Sequence, residues 1–201
     1  MTIDKNDLLN SILASIERID YVKSADIPNI DLYMDQVTSF MEKALGSSKR
    51  YPDDKILTKT MINNYAKNDL LPPPVKKKYS KEHLMVLTFI YYFKSILSIK
   101  DIETLLTPLT ERYFQTENDL NITRIYDEVC AKDKDRTTIL QNDIKALFEA
   151  SAETFSDLEG EDQNFLQFFS LICMLSLDVY VKKQLIEKLI DLVPTNQPNK
   201  K

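Results

Sequence analysis

Residues 57–106 read LTKTMINNYAKNDLLPPPVKKKYSKEHLMVLTFIYYFKSILSIKDIETLL. Thr58 precedes a short helical pattern, and its hydroxyl can cap the free amides of the first turn. Met61, Ile62 and Tyr65 fall on one side of a helix with 3.6 residues per turn. Lys59, Thr60, Asn63 and Lys67 fall mostly on the other, with Asn64 at the boundary. Leu70 and Leu71 return to the core. Pro72, Pro73 and Pro74 cannot continue a helix, so the chain must run extended before it turns through Val75 and the lysines 76, 77 and 78. A helix restarts at Ser80 and carries Leu84, Leu87, Phe89, Ile90, Phe93 and Ile96, apolar enough to be central. Ser98, followed three residues later by Asp101, opens a further short helix from Ile99 to Leu106, which Pro108 is expected to end.

Outside this stretch the chain is acidic. Residues 1–46 carry 4 Lys or Arg against 8 Asp or Glu, residues 47–100 carry 11 against 4, and residues 101–201 carry 11 against 19. The local balances are therefore −4, +7 and −8, which together give the formal charge of −5. A basic island in an acidic chain asks for an anionic partner, because the field at the docking face steers a polyanion whatever the average charge.

Composition excludes several classes. At 201 residues and 43% hydrophobic content the chain can bury a real core. Only 2 glycines are present, Gly46 and Gly160, so neither a dinucleotide fingerprint nor a phosphate-cradling Walker loop can be built. Cys130 and Cys173 have no second Cys or His at a ligand spacing and read as free thiols, not as a zinc site or disulfide. The lone His83 reads as a partly exposed helix-start residue. The carboxylate pairs Asp53/Asp54 and Glu161/Asp162 are neighbours in acidic turns and cannot be held across a substrate as general acid and base. No catalytic residue, metal or cofactor is expected, and the chain does not read as an enzyme.

The flanks are helical too. Leu8, Leu9, Ile12, Leu13, Ile16 and Ile19 make an apolar stripe expected to pack on the body, and Pro28 breaks the helical pattern beyond it. Met34, Val37, Phe40, Met41 and Leu45 form a second stripe with Gly46 at its stop. A polar loop at 47–55 leads into the 57–106 stretch, and beyond it helices are expected near 109–130, 137–156, 162–179 and 181–193. The apolar run from Phe165 to Leu177, closed by Asp178, is too short for a membrane span and reads as a buried helix. Part of that stripe, continued by Leu185, Ile186, Leu189 and Ile190, is a surface on which two protomers can meet. The amino terminus is acidic from Asp4 and lacks a signal-peptide pattern, so a cytoplasmic protein without a membrane partner is expected.

The order of parts resembles the DNA-binding domain of MerR-type regulators over about fifty residues. Ile62 and Tyr65 stand where that family has the Ile and second Tyr of its Thr-Ile-Arg-Tyr-Tyr signature. Leu70 and Leu71 match its Leu pair, Tyr79 and Ser80 its helix start after the wing, and Ser98 to Leu106 its closing helix. Asn63 and Asn64 replace the family's Arg and first Tyr, Asp69 replaces its Gly, and the wing is much shorter. More closely, the stretch from Asp31 to Leu109 resembles the uncharacterised YkrK-like family of Gram-positive bacteria, defined by a domain of unknown function. That resemblance implies a bacterial protein concerned with transcriptional control.

The expectation is thus an all-α chain. Residues 1–29 hold an N-terminal helix, residues 30–109 a MerR-like winged helix-turn-helix domain, residues 110–195 a helical region that dimerises or senses an unidentified effector, and residues 196–201 a frayed tail. The expected function is that of a sequence-specific regulator of transcription, a dimeric repressor on double-stranded DNA. Lys59, Thr60 and Asn63, with Asn64 beside them, would approach bases, while Lys67, Lys76, Lys77, Lys78 and Tyr79 would hold phosphates. The alternative is a helical protein-interaction module that has lost DNA binding and docks an acidic partner.

Overall fold

The computed structural model of the chain describes residues 5–16, 22–131 and 133–194. The helical expectation holds: these residues form eight α-helices, one short 3-10 turn and two strands of two residues each. The helices are α1 (Lys5–Ile16), α2 (Met34–Leu45), α3 (Lys59–Lys67), α4 (Lys81–Phe93), α5 (Ile99–Tyr113), α6 (Ile122–Ala131), α7 (Asp133–Ala152) and α8 (Gly160–Ile190). The strands are β1 (Leu32–Tyr33) and β2 (Lys78–Tyr79), too short for sequence alternation to reveal. The tail expected to fray, and Ile19 of the first stripe, lie outside the described residues.

Among the described residues two compact units emerge: residues 22–131 with 187–194, and residues 5–16 with 133–186. In the first, α4 is the core element, and every residue from His83 to Ile90 is buried. A helix so apolar on all sides finds its minimum only when neighbours cover every face. Val37, Met41 and Leu45 of α2, Ile62 and Tyr65 of α3, Ile102 and Leu106 of α5, and Ile122 and Tyr126 of α6 are the buried faces of the surrounding helices. The Tyr126 ring lies 5.2 Å from that of Phe89, and its hydroxyl donates to the Val22 carbonyl oxygen. Burial raises the pKa of that phenol far above its ordinary range, so it stays a neutral donor. Both expected helix-start caps are present: Thr58 Oγ1 accepts from the Met61 amide at 3.2 Å, and Ser98 Oγ from the Asp101 amide at 3.1 Å.

Several boundaries differ from expectation. Pro108 lies inside α5 instead of ending the helix. Proline's φ suits a helix, and its cost is one lost amide bond and a ring clash. Ile102 and Leu106, both buried, hold the turn before it, and Thr110 Oγ1 donates to the Leu106 carbonyl at 3.0 Å. The helix expected at 109–130 is therefore divided: α5 stops at Tyr113, Gln115 takes a left-handed φ of 49°, and α6 restarts where Asn121 Oδ1 accepts from the Arg124 amide at 3.0 Å.

In the second unit α1 packs against α7. The two helices expected at 162–179 and 181–193 are one continuous α8, since nothing at 180 breaks the pattern and Lys182 bonds Asp178 across it at 2.7 Å. Gly160, with φ 73°, supplies the left-handed entry to α8. Nor is α8 a buried helix. Leu171 and Gln167 are buried, the latter donating to the carbonyls of Ala152 and Thr154 at 2.7 and 3.0 Å. Phe165, Phe169, Ile172, Leu177 and Val179 are instead exposed. By length and composition α8 also qualifies to cross a membrane, with 11% of its apolar window buried.

Candidate nucleic-acid interface

The amphipathic pattern of α3 decides which side chains reach solvent. Ile62 and Tyr65 are buried, and Lys59, Thr60, Asn63, Asn64 and Lys67 are all exposed. The helix ends in a Schellman-type arrangement, in which the amides of Leu70 and Leu71 both donate to the Tyr65 carbonyl, at 3.0 and 3.2 Å. That closure requires a left-handed residue just past the helix, and Asp69 takes φ 57° there. Glycine adopts that conformation with least cost, so Asp69 is held there under strain.

Leu70, Leu71 and the prolines lead into a hairpin. The Val75 amide donates to the Lys78 carbonyl at 3.1 Å and the Lys78 amide to the Val75 carbonyl at 2.9 Å, which leaves Lys76 and Lys77 as a two-residue tip. Their φ values are 50° and 64°. Two consecutive left-handed residues are the signature of a type I′ turn, matched to the right-handed twist of the flanking strands. Asn-Gly is the favoured pair at such a tip, and two lysines there hold strain as well as charge. Both are exposed. The hairpin's second arm continues as β2, antiparallel to β1, with Leu32 facing Tyr79 and Tyr33 facing Lys78.

The start of α2 joins the two pieces. Asp35, in its first turn, forms an ion pair with the Lys59 ammonium at the start of α3. Tyr33, two residues earlier, lies under the Lys78 ammonium, 5.2 Å from ring centroid to nitrogen. The first turn of α3 and the base of the hairpin are thus anchored two residues apart on one segment. Sequence reasoning missed both anchors. The Tyr33 amide donates to Gln36 Oε1 at 2.9 Å, a capping-box contact whose three-residue spacing marks where α2 begins, yet nothing local signals that Asp35 meets Lys59.

Two expectations for the site need correction. Tyr79 is 3% exposed, its side chain placed inward by the pairing with Leu32, so it supports the hairpin from beneath and its hydroxyl does not project to hold a phosphate. His83 is not partly exposed but 1% exposed. Its Nδ1 accepts from the Ser80 amide at 2.9 Å, leaving Nε2 to carry the hydrogen and face the Pro73 carbonyl at 3.4 Å. The imidazole lies edge-on to Tyr79 and Phe114, with centroids at 5.5 and 4.7 Å. It ties the proline segment to α4, and its burial lowers its pKa.

The basic island is also smaller than its charge count. Lys49 pairs with Glu42 and holds that carboxyl below its ordinary pKa. Lys94 donates to the Ile56 carbonyl at 2.8 Å and covers the Tyr91 ring at 4.7 Å, where burial depresses its own pKa. Those two cations serve the fold. Lys59, Lys67, Lys76 and Lys77 project from α3 and the hairpin tip.

These features define a mostly helical protein with a short exposed helix and a basic two-residue hairpin anchored at the start of α2. The chain belongs to the family described as a domain of unknown function, DUF1836, whose model matches residues 22–129. That span runs from the Val22 carbonyl that receives Tyr126 into the last turn of α6, and so contains the whole of α4 with the buried faces of its covering helices. No curated protein and no solved structure matches the chain.

Proposed function

We propose that the chain is a sequence-specific DNA-binding regulator of transcription, a repressor acting as a dimer, with α3 as the reading element of a MerR-like, YkrK-like helix-turn-helix and the hairpin as a wing cut down to its tip. The observation that carries this reading is the strained pair Lys76–Lys77. Two cations held left-handed at an exposed tip, where Asn-Gly would be easier, are explained by a need for charge there. Asn63 and Lys59 offer the donors that meet adenine or guanine edges in a major groove, and Lys67 with the tip lysines meets phosphate. Asp35 does not oppose this, because an exposed ion pair is worth little and a phosphate can replace the carboxylate.

The rival reading is an interaction module that docks an acidic protein, and it draws on the same Lys59–Asp35 pair and on the withdrawal of Tyr79. Salt-titrated binding to DNA fragments from the promoters of its own and neighbouring genes separates the two. A regulator retains a sequence-selective component at moderate salt, whereas a module shows only weak association that salt screens away. The variant Lys76→Asn with Lys77→Gly is expected to weaken all DNA binding and to flatten its salt dependence by up to about two units per protomer. Lys76→Arg with Lys77→Arg should preserve both. Equal binding by the Asn-Gly variant and the wild type would remove the proposal.

A further inference from the structure

The exposed side of α8 carries a seam that no part of the proposed DNA site uses. Phe165, Phe169, Ile172, Ser176, Val179 and Lys183 succeed one another at steps of four, three, four, three and four residues, the 3.5-residue repeat with which two helices pack side by side. Phe165 is 68% exposed, Phe169 53%, Ile172 52% and Val179 58%. The inward side of the same helix is already engaged through Gln167 and Leu171. The row Phe165, Phe169, Ile172 and Val179, facing water opposite the packed Gln167 and Leu171, marks an unfilled interface.

We infer that this seam binds the α8 helix of a second copy in antiparallel orientation, about a two-fold axis that passes close to Ile172. Volume and charge both select that occupant. Along the seam itself the bulky residues lie at one end, Phe165 and Phe169, and the small ones at the other, Ser176 and Val179. Antiparallel pairing sets large against small, whereas parallel pairing would stack Phe on Phe and leave Ser facing Ser. Glu161 and Asp162 precede the seam and Lys182 and Lys183 close it. Turning the second copy end for end brings each acidic pair to the other's basic pair, while a parallel arrangement would align like charges. A lipid surface is a poorer match, because Asn164, Ser170, Ser176 and Asp178 interrupt the apolar stretch. The inference deepens the dimer in the proposed function, and it is tested without DNA, so the two can fail separately.

Thiol crosslinking of the full chain provides the test. In a Cys130→Ser, Cys173→Ser background, Ile172→Cys is expected to give a double-mass product with a short bis-maleimide, because each copy presents this position to the other near the axis. Phe165→Cys alone should give none, since 14 residues of helix separate the two sites by roughly 20 Å. Mixing Phe165→Cys with Val179→Cys chains should restore the product. In sedimentation the wild type should be dimeric and Ile172→Glu monomeric with unchanged helical circular dichroism, as the side chain is half exposed within one copy. The hairpin variant Lys76→Asn, Lys77→Gly should remain dimeric. A monomeric wild type, self-crosslinking of Phe165→Cys, or recovery of the chain with lipid vesicles in a manner that Ile172→Glu abolishes would each overturn the antiparallel pair.

Discussion

Asp69 shows how one residue's backbone can record a requirement that its side chain does not meet. Its left-handed φ closes α3 so that Leu70 and Leu71 enter the core. Asp69→Gly removes that strain and is expected to stabilise the chain by about 0.5–1 kcal/mol, visible as a higher urea midpoint at unchanged slope. His83 is the second residue whose placement carries a prediction. Burial keeps its folded pKa below the ordinary value of about 6.5, so between those two pKa values the unfolded chain binds more protons than the folded one. Stability from the neutral imidazole is therefore fully present above about pH 6.5 and falls as the pH drops toward the folded pKa. As the only His in the chain, it dominates the window above the carboxylate range. His83→Gln keeps an acceptor for the Ser80 amide and should flatten the stability profile below about pH 6.5; an unchanged slope would show that another group is responsible.

At the scale of elements, the hairpin and α5 each carry a locally unfavourable residue. Lys76→Asn with Lys77→Gly suits the type I′ tip and is expected to stabilise the chain by about 1–2 kcal/mol, even as the two charges are lost. A thermal melt that rises while DNA affinity falls would separate function from folding in a single variant. A melt that falls would mean that the lysine side chains themselves hold the tip. In α5 the effect of Pro108 was outweighed by burial of the turn that precedes it. Propensity is a weak prior where Ile102 and Leu106 are both driven into the same core.

For the whole molecule the relevant quantity is the number of cations that project from α3 and the hairpin tip. With Lys59 turned to the bases, Lys67, Lys76 and Lys77 are the three that meet phosphate, and at about 0.9 counterions per contact one protomer should give a log–log salt slope of roughly −2.7 and a dimer roughly −5.4. Fluorescence anisotropy over a range of salt would read this directly. A slope near the single-protomer value in the Ile172→Glu variant would link the α8 seam to operator binding. A slope near zero would leave the acidic-partner reading.

Much of the fold was legible because its signals are local. Thr58 and Ser98 mark helix starts through hydrogen bonds within three residues, and the apolar repeat of α4 states its own burial. The exposed side of α3 could be read for the same reason, since 3.6-residue periodicity alone separates Ile62 and Tyr65 from Lys59 and Asn63. Other features depend on residues far apart in the chain and could not be read that way. Asp35 meets Lys59, Tyr33 lies beneath Lys78, and His83 reaches back to Pro73 only once helices have packed. The seam of α8 was present in the sequence as an apolar repeat, but periodicity cannot tell a stripe that faces a core from one that faces water. Only the packing of Gln167 and Leu171 on the opposite side decided that Phe165, Phe169, Ile172 and Val179 look outward, because a helix has one circumference and its neighbours choose which part to cover.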